Sequence, residues 1–382
     1  MLSNKIYKHF FLELSKYFII TLFTFTAIVW TVQAVNFLDL VVEDGHALSV
    51  YLSYSLLNIP KILTKFIPLS FLISLVLAIL KFENENELII LWTAGLNKIK
   101  LVNFFVKISL IVMVLQIVFA SIINPNILNY SRTLIKSSNL DYISSMIKTN
   151  QFNDTVPGLT IFVEEKNSNG DMKNILIRDE NKILKSIDNV NNTENITIIA
   201  NKGRVVNPGS PALVLSDGII QSQKINKNIQ TIKFKKTVLK LNNLQTRSIV
   251  QTKIQETPSI LLIKCYFNKK EIEIINCPKD HKKNDVLSEI NRRFGIPLYI
   301  PIITLIICFL LNQRGESKYK NYFKYIYTII AFSILVIAEI LVKYSGKSFY
   351  NSLIYYLTPF FLLPLIYLEI IRNFLYENLR KK

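Results

Sequence analysis

Histidine and cysteine, which build most metal centres and many nucleophilic sites, are scarce in this sequence. The chain has three of each. His9, His46 and His281 do not lie near a cluster of cysteines or carboxylates at metal-ligand spacing. The sequence also lacks a G-x-S-x-G nucleophile turn. It therefore predicts no catalytic residues, no metal and no cofactor.

Three cysteines are also too few for a disulfide scaffold. Cys308 lies inside an apolar run and is predicted to be a packed core residue. Cys265 and Cys277 both lie in a polar block, so they could pair if that block faces an oxidising compartment. The sequence leaves this pairing open.

A nucleotide-binding loop and a nucleic-acid surface are excluded on other grounds. Gly346-Lys347-Ser348 is similar to the end of a phosphate-binding loop, but that motif needs a glycine where this chain has Leu341. The chain is therefore not expected to hydrolyse ATP itself. The formal net charge of +18 does not indicate nucleic-acid binding, because much of the basic charge flanks apolar runs, where it faces lipid phosphates.

Long apolar runs, by contrast, dominate both ends of the chain. Half of the residues are apolar, and a helix that crosses the hydrocarbon core needs about 20 apolar residues. Pro60 and Pro68 inside the second run are tolerable because neighbouring helices can satisfy the freed backbone groups. The predicted spans are residues 17–38, 51–80, 101–123, 294–313, 325–343 and 351–371. The chain is predicted to lie in a membrane, with three spans on each side of a polar block.

Lysine and arginine in the short flanking segments predict the orientation. Four segments on one side of the membrane contain 14 basic residues in total; they are residues 1–16, 81–100, 312–324 and 372–382. On the other side, residues 39–50 contain none and residues 344–350 contain Lys347, with Lys343 at the boundary. Both termini are therefore predicted to be cytoplasmic, and the polar block to lie outside.

The polar block has the pattern of short β-strands. Apolar and polar residues alternate at period two in several stretches; these are Leu159–Glu164, Asn174–Arg178, Ile196–Val206, Ala212–Leu215 and Thr231–Leu241. Turn residues separate them at Asn167–Gly170, Asn207–Pro211 and Asp217-Gly218. Strands at this spacing predict an antiparallel sandwich or jelly roll. The predicted fold is membrane α-helical (3+3 spans) with an inserted all-β domain, divided into residues 1–124, 125–290 and 291–382.

The cytoplasmic loop between spans two and three is predicted to contain a short helix over residues 84–94. Asn84 is a good N-cap residue and Glu87 follows three positions later, close to a capping-box arrangement. Gly95 can supply a left-handed stop after the helix.

This short helix has one apolar stripe, because Leu88, Leu91 and Trp92 lie at i, i+3 and i+4. A helix of this kind could bind a groove on a cytoplasmic partner, or it could lie on lipid. Its acidic start, Glu83, Glu85 and Glu87, favours a protein groove over anionic lipid.

Several short motifs, in one order along the chain, carry a resemblance to a known family. The first runs from Pro68-Leu69 at span two to Glu87 and Ala94-Gly95-Leu96, like a coupling-helix signature. The second is the strand pair Ile198–Gly203 and Leu213–Gly218, and the third is Glu289–Arg293 followed by Pro297. In these motifs the sequence resembles the permease family of the lipopolysaccharide export ABC transporter, whose two members are LptF and LptG. Gln151-Phe152, Thr160–Glu165 and Glu289–Arg293 look closer to LptF.

The resemblance covers essentially the whole chain and implies a permease subunit in a bacterial inner membrane, with residues 125–290 in the periplasm. It implies pairing with an LptG-type permease and two copies of the LptB ATPase, which grip the coupling helices. ATP-driven closure then extracts lipopolysaccharide, and the jellyroll joins those of LptC and LptA in a bridge. The coupling residues implied for this chain are Glu87, Leu88, Leu91, Trp92 and Gly95.

The chain departs from the family at the outer end of span one. Family members often carry basic residues there that meet lipid A phosphates, whereas Thr31–Leu40 contains no lysine or arginine. Lys61 and Lys65 are one helical turn apart on one face of span two. Because a charge at the centre of a span costs about 2.5–3.5 kcal/mol, this pair is predicted to bind the phosphates, together with Arg132 and Lys136. The alternative is that both lysines of span two snorkel to lipid headgroups.

Two other functions stay open. A permease of similar architecture could move another envelope lipid, and the lipid that co-purifies with the complex would distinguish this. A membrane-bound enzyme of envelope assembly would need a titratable pair at an interface. Glu339 and Lys343, spaced i, i+4, are more simply a structural ion pair.

Overall fold

The computed structural model describes most of the chain, as two compact units. The described residues are 2–42, 47–137, 149–156, 158–167, 170–180, 193–206, 212–224, 229–240, 254–267, 283–311 and 320–380. One unit, called the helical unit below, comprises Met1–Val32, Asn58–Asn129 and Lys253–Lys382. The other, called the β-rich unit, comprises Gln33–Leu57 and Tyr130–Thr252.

Within the described residues, six helical stretches are long and apolar enough to cross a membrane, and these confirm the six predicted spans. They are Lys5–Val42, Leu48–Asn84, Lys98–Ile135, Lys283–Leu311, Tyr322–Ser345 and Phe349–Leu375. Nearly all of them extend past the predicted apolar runs at both ends, because polar flanking residues continue the helices.

The helices are numbered in chain order. They are α1 (Leu2–Asn36), α2 (Asp39–Val42), α3 (Leu48–Leu57), α4 (Ile59–Asn84), α5 (Glu87–Thr93), α6 (Lys98–Val118), α7 (Asn124–Ser137), α8 (Ser259–Phe267), α9 (Lys283–Gly295), α10 (Ile300–Cys308), α11 (Lys320–Ser345) and α12 (Phe349–Arg380). A π-helical turn at Phe119–Ile123 joins α6 to α7. Short 3₁₀ turns lie at Ile254–Glu256, Ile296–Tyr299 and Phe309–Leu311.

The core of the helical unit is built largely on spans two and four. Phe71 and Phe82 on α4 and Phe105 on α6 are fully buried large side chains in this core. Helix α4 continues through Pro68, and Pro60 lies in its first turn, where a missing backbone N–H leaves no helical bond unmade. Span two is therefore one long helix from the first turn of α4 to its end.

The β-rich unit contains one six-stranded antiparallel sheet, which confirms the inserted all-β domain. The strands are β1 (Phe152–Val156), β2 (Leu159–Lys166), β3 (Asp171–Asp179), β4 (Thr193–Val206), β5 (Ala212–Lys224) and β6 (Ile229–Lys240). They pair in chain order, β1 to β6. One face of the sheet is buried, with Val163, Ile175 and Leu215 in its core, as the period-two alternation predicts.

The turn predicted at Asp217-Gly218 is wrong, because both residues lie inside β5. Asp217 has a left-handed φ of 54°. A Cβ at Gly218 would lie 2.3 Å from the backbone oxygen of Ile199 and 2.6 Å from the ring of Phe234. The glycine is present for close strand approach rather than for a chain reversal. The turn predicted at Asn207–Pro211 lies outside the described residues.

Candidate functional site

The helix between spans two and three is shorter than predicted. It is α5, Glu87–Thr93, rather than residues 84–94. Asn84 is the last residue of α4, and the N-cap position of α5 belongs to Asn86, whose side chain makes no capping hydrogen bond. The predicted cap at Asn84 is therefore wrong. Asn86 has a φ of 58°, a left-handed conformation that asparagine tolerates, and it turns the chain between the two helices.

The predicted stop at Gly95 is confirmed. Its φ is 81°, and two backbone bonds close the end of α5. The N–H of Leu96 donates to the carbonyl of Leu91 at 3.0 Å, and the N–H of Gly95 donates to that of Trp92 at 3.2 Å. This is the Schellman arrangement of a helix C-terminus, and it satisfies the carbonyl groups of Leu91 and Trp92 at the end of α5.

The apolar stripe of α5 packs inward. Leu88 is 1% exposed and Leu91 is 9% exposed, and both belong to the core of the helical unit, with Trp92 packed against it. Ile89 and Ile90 lie on the opposite face and are 44% and 63% exposed. The stripe thus anchors α5 to its own chain, and a partner would meet the other face.

Glu87 lies at the start of α5 and is partly exposed. Its Oε1 is 3.2 Å from Nε2 of His9 on α1. The coupling-helix residues from the sequence therefore divide into two groups. Leu88, Leu91 and Trp92 hold the helix in place, whereas Glu87 remains accessible.

Near the other end of α4, Lys61 and Lys65 line one cavity of about 300 Å³ within the helical unit. Lys65 is exposed and Lys61 is half-buried. Lys61 and Glu83 lie 22 residues apart on α4, which is about 33 Å along a helix. The cavity and α5 are thus near opposite ends of one span.

The same cavity also receives side chains from spans three, four and five. These are Gln116, Asn124, Glu289, Arg292, Arg293 and Glu339. A larger adjoining cavity of about 720 Å³ shares Lys61 and Arg292 with it and is also lined by Lys343 and Lys347. Basic side chains therefore outnumber carboxylates around the two cavities. They come from different spans, so the sequence of one span does not show that they lie together.

Two arginines of α9 have different surroundings in this region. Arg293 is 3% exposed and donates to Glu289 at 3.1 Å, to the Thr257 carbonyl at 2.9 Å and to the Ser259 hydroxyl at 2.8 Å. These hydrogen bonds within the chain fix the position of the Arg293 guanidinium. Arg292 makes longer contacts, 3.7 Å to Glu289 and 3.5 Å to Glu339, and its side chain is about one-third exposed.

The ion pair expected between Glu339 and Lys343 is replaced by the contact of Glu339 with Arg292. The i, i+4 spacing on one helix gives proximity, but Arg292 from span four reaches the same carboxylate. Sequence spacing could not reveal this partner, because the two residues lie 47 positions apart.

Three polar atoms that line the cavity are buried without a hydrogen-bond partner in the described part of the chain. They are Oε1 of Gln116, Oδ1 of Asn124 and Nε of Arg292. The amide nitrogens of Gln116 and Asn124 both bond to Thr64, at 3.4 and 2.9 Å, which leaves each amide oxygen as the unsatisfied atom. Buried polar atoms are nearly always paired, so these three indicate a place for a bound polar group or water.

The other two residues in the predicted phosphate-binding set, Arg132 and Lys136, belong to the β-rich unit. Arg132 is buried there, 8% exposed. The side chain of Lys136 is outside the described residues. Lys61 and Lys65 thus line one cavity, and Arg132 is not among its lining residues.

The sheet of the β-rich unit has β6 at one end of its strand order. Among the described strands β6 pairs with β5 alone, and Ile229, Ile232 and Val238 on it are exposed. Strand β2 lies between β1 and β3, so residues 159–165 are not an edge. On β2, the hydrogen bond from exposed Lys173 lowers the pKa of Glu165.

Cys265 on α8 is disulfide-bonded, and Cys277 lies outside the described residues. Cys308 is a free, buried cysteine in span four, as predicted. Among the described residues, no group of three or more His, Cys, Asp or Glu side chains could hold a metal ion.

The chain is similar to known proteins over most of its length. A family model described as "Lipopolysaccharide export system permease LptF/LptG" matches residues 8–373. An uncharacterized protein of Rickettsia prowazekii (strain Madrid E) is 24% identical over 335 residues, which cover 87% of this chain and 88% of that protein. The family match spans both units, so it includes the cavity, α5 and the sheet.

Proposed function

This chain belongs to the LptF/LptG family of lipopolysaccharide export permeases, and we propose that it is one permease half of an ATP-driven exporter that extracts lipopolysaccharide from the inner membrane. The family makes it a transporter subunit rather than an enzyme, and its six span-length helices make it a multi-pass membrane protein. The observation that carries the proposal is the cavity around Lys61 and Lys65. It places cations and unsatisfied polar atoms among membrane spans, where an anionic lipid headgroup would bind.

In the proposed orientation both termini are cytoplasmic and residues 125–290 are periplasmic. The bias of lysine and arginine toward one set of loops supports it. The disulfide at Cys265 also supports it, because disulfides persist in oxidising compartments such as the periplasm. The cavity would then lie toward the outer leaflet, and α5 would lie at the cytoplasmic face.

The chemistry of the cavity fits the headgroup of lipopolysaccharide. Lys61, Lys65 and Arg292 would meet the phosphates, since ammonium and guanidinium groups form strong charge-assisted hydrogen bonds with phosphate oxygens. The unsatisfied amide oxygens of Gln116 and Asn124 can accept hydrogen bonds from sugar hydroxyls or amide N–H groups. The phosphates of one ligand would thus bind the basic side chains, and its hydroxyl or N–H groups would bind the amide oxygens.

Replacing both lysines tests this role. In the Lys61→Gln, Lys65→Gln double variant, crosslinking to lipopolysaccharide and its export should fall about tenfold or more, as expected if two charged contacts of roughly 1 kcal/mol each are lost. The residual binding should depend less on salt than that of the wild type, because Arg292 remains, and the amount of protein in the membrane should stay unchanged.

Lys107→Gln is the matched control, because Lys107 is an exposed lysine on span three that does not line the cavity. Normal export by the double variant would support lysines that only snorkel to lipid headgroups. Another lipid co-purifying with the wild-type complex, in place of lipopolysaccharide, would redirect the proposal to a different envelope lipid.

We place the contact with an LptB-type ATPase on the exposed face of α5. Ile89 and Ile90 project away from the core, and partly exposed Glu87 lies at the start of the same helix. Short amphipathic helices bind grooves through such apolar anchors. Glu87 remains a proposed contact residue, whereas Leu88, Leu91, Trp92 and Gly95 would act by fixing the position and end of the helix.

An Ile90→Asp variant separates these roles. It should abolish capture of the ATPase while leaving membrane insertion and thermal stability unchanged, and Glu87→Ala should weaken capture less. A charged residue at Leu91 should instead destabilise the chain itself. Ile199→Asp, at an exposed isoleucine on β4, serves as the control. Normal ATPase capture by Ile90→Asp would contradict a contact on this face.

The remaining partners follow from the family. We propose pairing with a second permease, of the LptG type if this chain is LptF, and contact of β6 with periplasmic LptC- and LptA-type jellyroll proteins. An exposed edge strand can add a strand from another sheet. A photocrosslinker at Lys235 on β6 should capture such a protein, and one at Lys202 on interior strand β4 should not. Equal capture at both positions would argue against pairing through the β6 edge.

A further inference from the structure

The end of α4 that leads into α5 carries two ion pairs, on opposite sides of the helix. Lys81 Nζ lies 2.9 Å from Glu13 Oε2 on α1, and Glu83 Oε2 lies 2.7 Å from Lys324 Nζ on α11. Residues two positions apart on an α-helix point about 200° apart. The two pairs therefore brace one helix end from both sides.

The contact between Glu83 and Lys324 is the more sheltered of the two, and that between Glu13 and Lys81 is partly exposed. The side chains of Glu83 and Lys324 are 8% and 21% exposed, and those of Glu13 and Lys81 are 18% and 27% exposed. The Glu83–Lys324 pair is therefore screened less by salt than a surface pair, and separating it leaves the Glu83 carboxylate without its partner in a poorly hydrated place. The two partner helices are thus bound to the end of α4 by contacts that resist separation.

Packing reinforces the brace on the α1 side. Phe10 of α1 and Phe82 of α4 are both 1% exposed or less, and their rings pack edge to face with centroids 4.2 Å apart. Phe82 lies between Lys81 and Glu83 in sequence. A displacement of this helix end would therefore disturb contacts with both α1 and α11.

We propose that Glu83 and Lys324, together with Glu13 and Lys81, are positioning residues that transmit movement of α5 to α1 and α11. The inference rests on the proposed binding of an ATPase to α5. Only Glu85 and Asn86 separate α4 from α5, and Leu88 and Leu91 attach α5 to the same core. A force on α5 reaches the end of α4 first, and the ion pairs carry it to one span from each half of the chain.

The test uses the complete wild-type complex and Glu83→Gln and Lys324→Gln variants, in proteoliposomes that contain lipopolysaccharide. The number of lipopolysaccharide molecules extracted per ATP hydrolysed should fall at least fivefold in each variant, while ATPase capture by the assembled complex matches the wild type. The charge-exchanged variant Glu83→Lys, Lys324→Glu should recover more than half of the ratio.

Glu369→Gln is the control, because Glu369 forms an ion pair with Arg372 of the same 2.7 Å length but exposed and within one helix. If the Gln variants fail to assemble, Glu83→Asp keeps the charge and shortens the side chain, and it should lower the ratio in an assembled complex. A wild-type ratio in the assembled variants overturns the inference, as does an equal fall in Glu369→Gln or no recovery on charge exchange. A wild-type complex that extracts no lipopolysaccharide or captures no ATPase contradicts the proposed function instead.

Discussion

Two of the six spans are mostly buried within the protein, and the other four leave most of their surface exposed. In the most apolar stretch of each span, 67% of the residues of span two and 78% of those of span four are buried, against 6–22% in the others. Mean hydropathy does not separate the groups: it is 2.3 and 2.5 for the buried spans and 1.7–2.5 for the rest. Hydropathy thus predicts that a helix crosses a membrane, but not whether it meets lipid or protein.

Residue size distinguishes span two from span six, whereas span four buries mostly large apolar residues. Span two buries Ser70, Ser74 and Ala78 at 0% exposure, and small residues let helix backbones approach closely in a membrane. Span six instead exposes Phe360 and Phe361 at more than 60%. The exposed faces are available for lipid or for a second permease, whereas spans two and four are committed to their own chain.

The largest expected effect comes from truncating a large side chain on a buried span. Phe71→Ala on span two should reduce the free energy of unfolding by about 3–5 kcal/mol, the range for a fully buried phenylalanine. The lower end is expected, because in lipid only packing contacts are lost. Phe360→Ala is the matched control and should stay within about 0.5 kcal/mol. Unfolding by titration with denaturing detergent measures both.

Phe360→Ala also tests whether exposure distinguishes the two groups of spans. An equal loss in both variants of the isolated chain would show that exposure does not separate the two groups of spans. A loss for Phe360→Ala that arises only in the assembled complex would place this face at an interface rather than in lipid.

A smaller effect is expected from the buried polar network that ties span four to spans five and six. The amide of Asn291 is 0% exposed, donates to Ser345 Oγ at 2.8 Å and accepts from Ser352 Oγ at 2.8 Å. Asn291→Ala should cost about 1–2 kcal/mol, because two buried hydroxyls lose a partner. Asn351→Ala, at an exposed asparagine next to Ser352 in sequence, should cost much less. Equal losses would mean that the network contributes nothing specific.

The sequence predicted the six spans and the inserted β-sheet, because both follow from local patterns of apolar residues. It also predicted the stop at Gly95, since a left-handed residue after a short helix has a local signature. The direction of the α5 stripe could not be read in this way. The spacing of Leu88 and Leu91 predicts an amphipathic helix. It does not predict whether the apolar face of that helix contacts the same chain or a partner.

The candidate cavity was only partly predictable, for the same reason. Lys61 and Lys65 could be found because they share one face of one span. Gln116, Arg292 and Glu339 join them through contacts between spans that are distant in sequence. Arg292 lies in the motif Glu289–Arg293, which resembles the family, whereas no local sequence pattern distinguishes Gln116.

The smallest expected effect concerns a single hydroxyl of span four. Tyr299 is 5% exposed, and its hydroxyl lies 2.8 Å from Thr358 Oγ1 and 3.3 Å from the carbonyl of Tyr355, both on span six. Tyr299→Phe keeps the ring and removes this contact, so it isolates hydrogen bonding from packing.

The expected loss for Tyr299→Phe is about 0.6 kcal/mol, the average for hydrogen bonds between membrane helices, because the unfolded chain in the membrane also finds partners. Tyr325→Phe, at a hydroxyl on a 68% exposed residue of span five, should have no measurable effect in the same detergent titration. A double variant that combines Tyr299→Phe with Thr358→Val should lose little more than Tyr299→Phe alone, because both changes remove one bond. Fully additive losses would show that the two hydroxyls act separately, and that packing rather than this bond joins spans four and six.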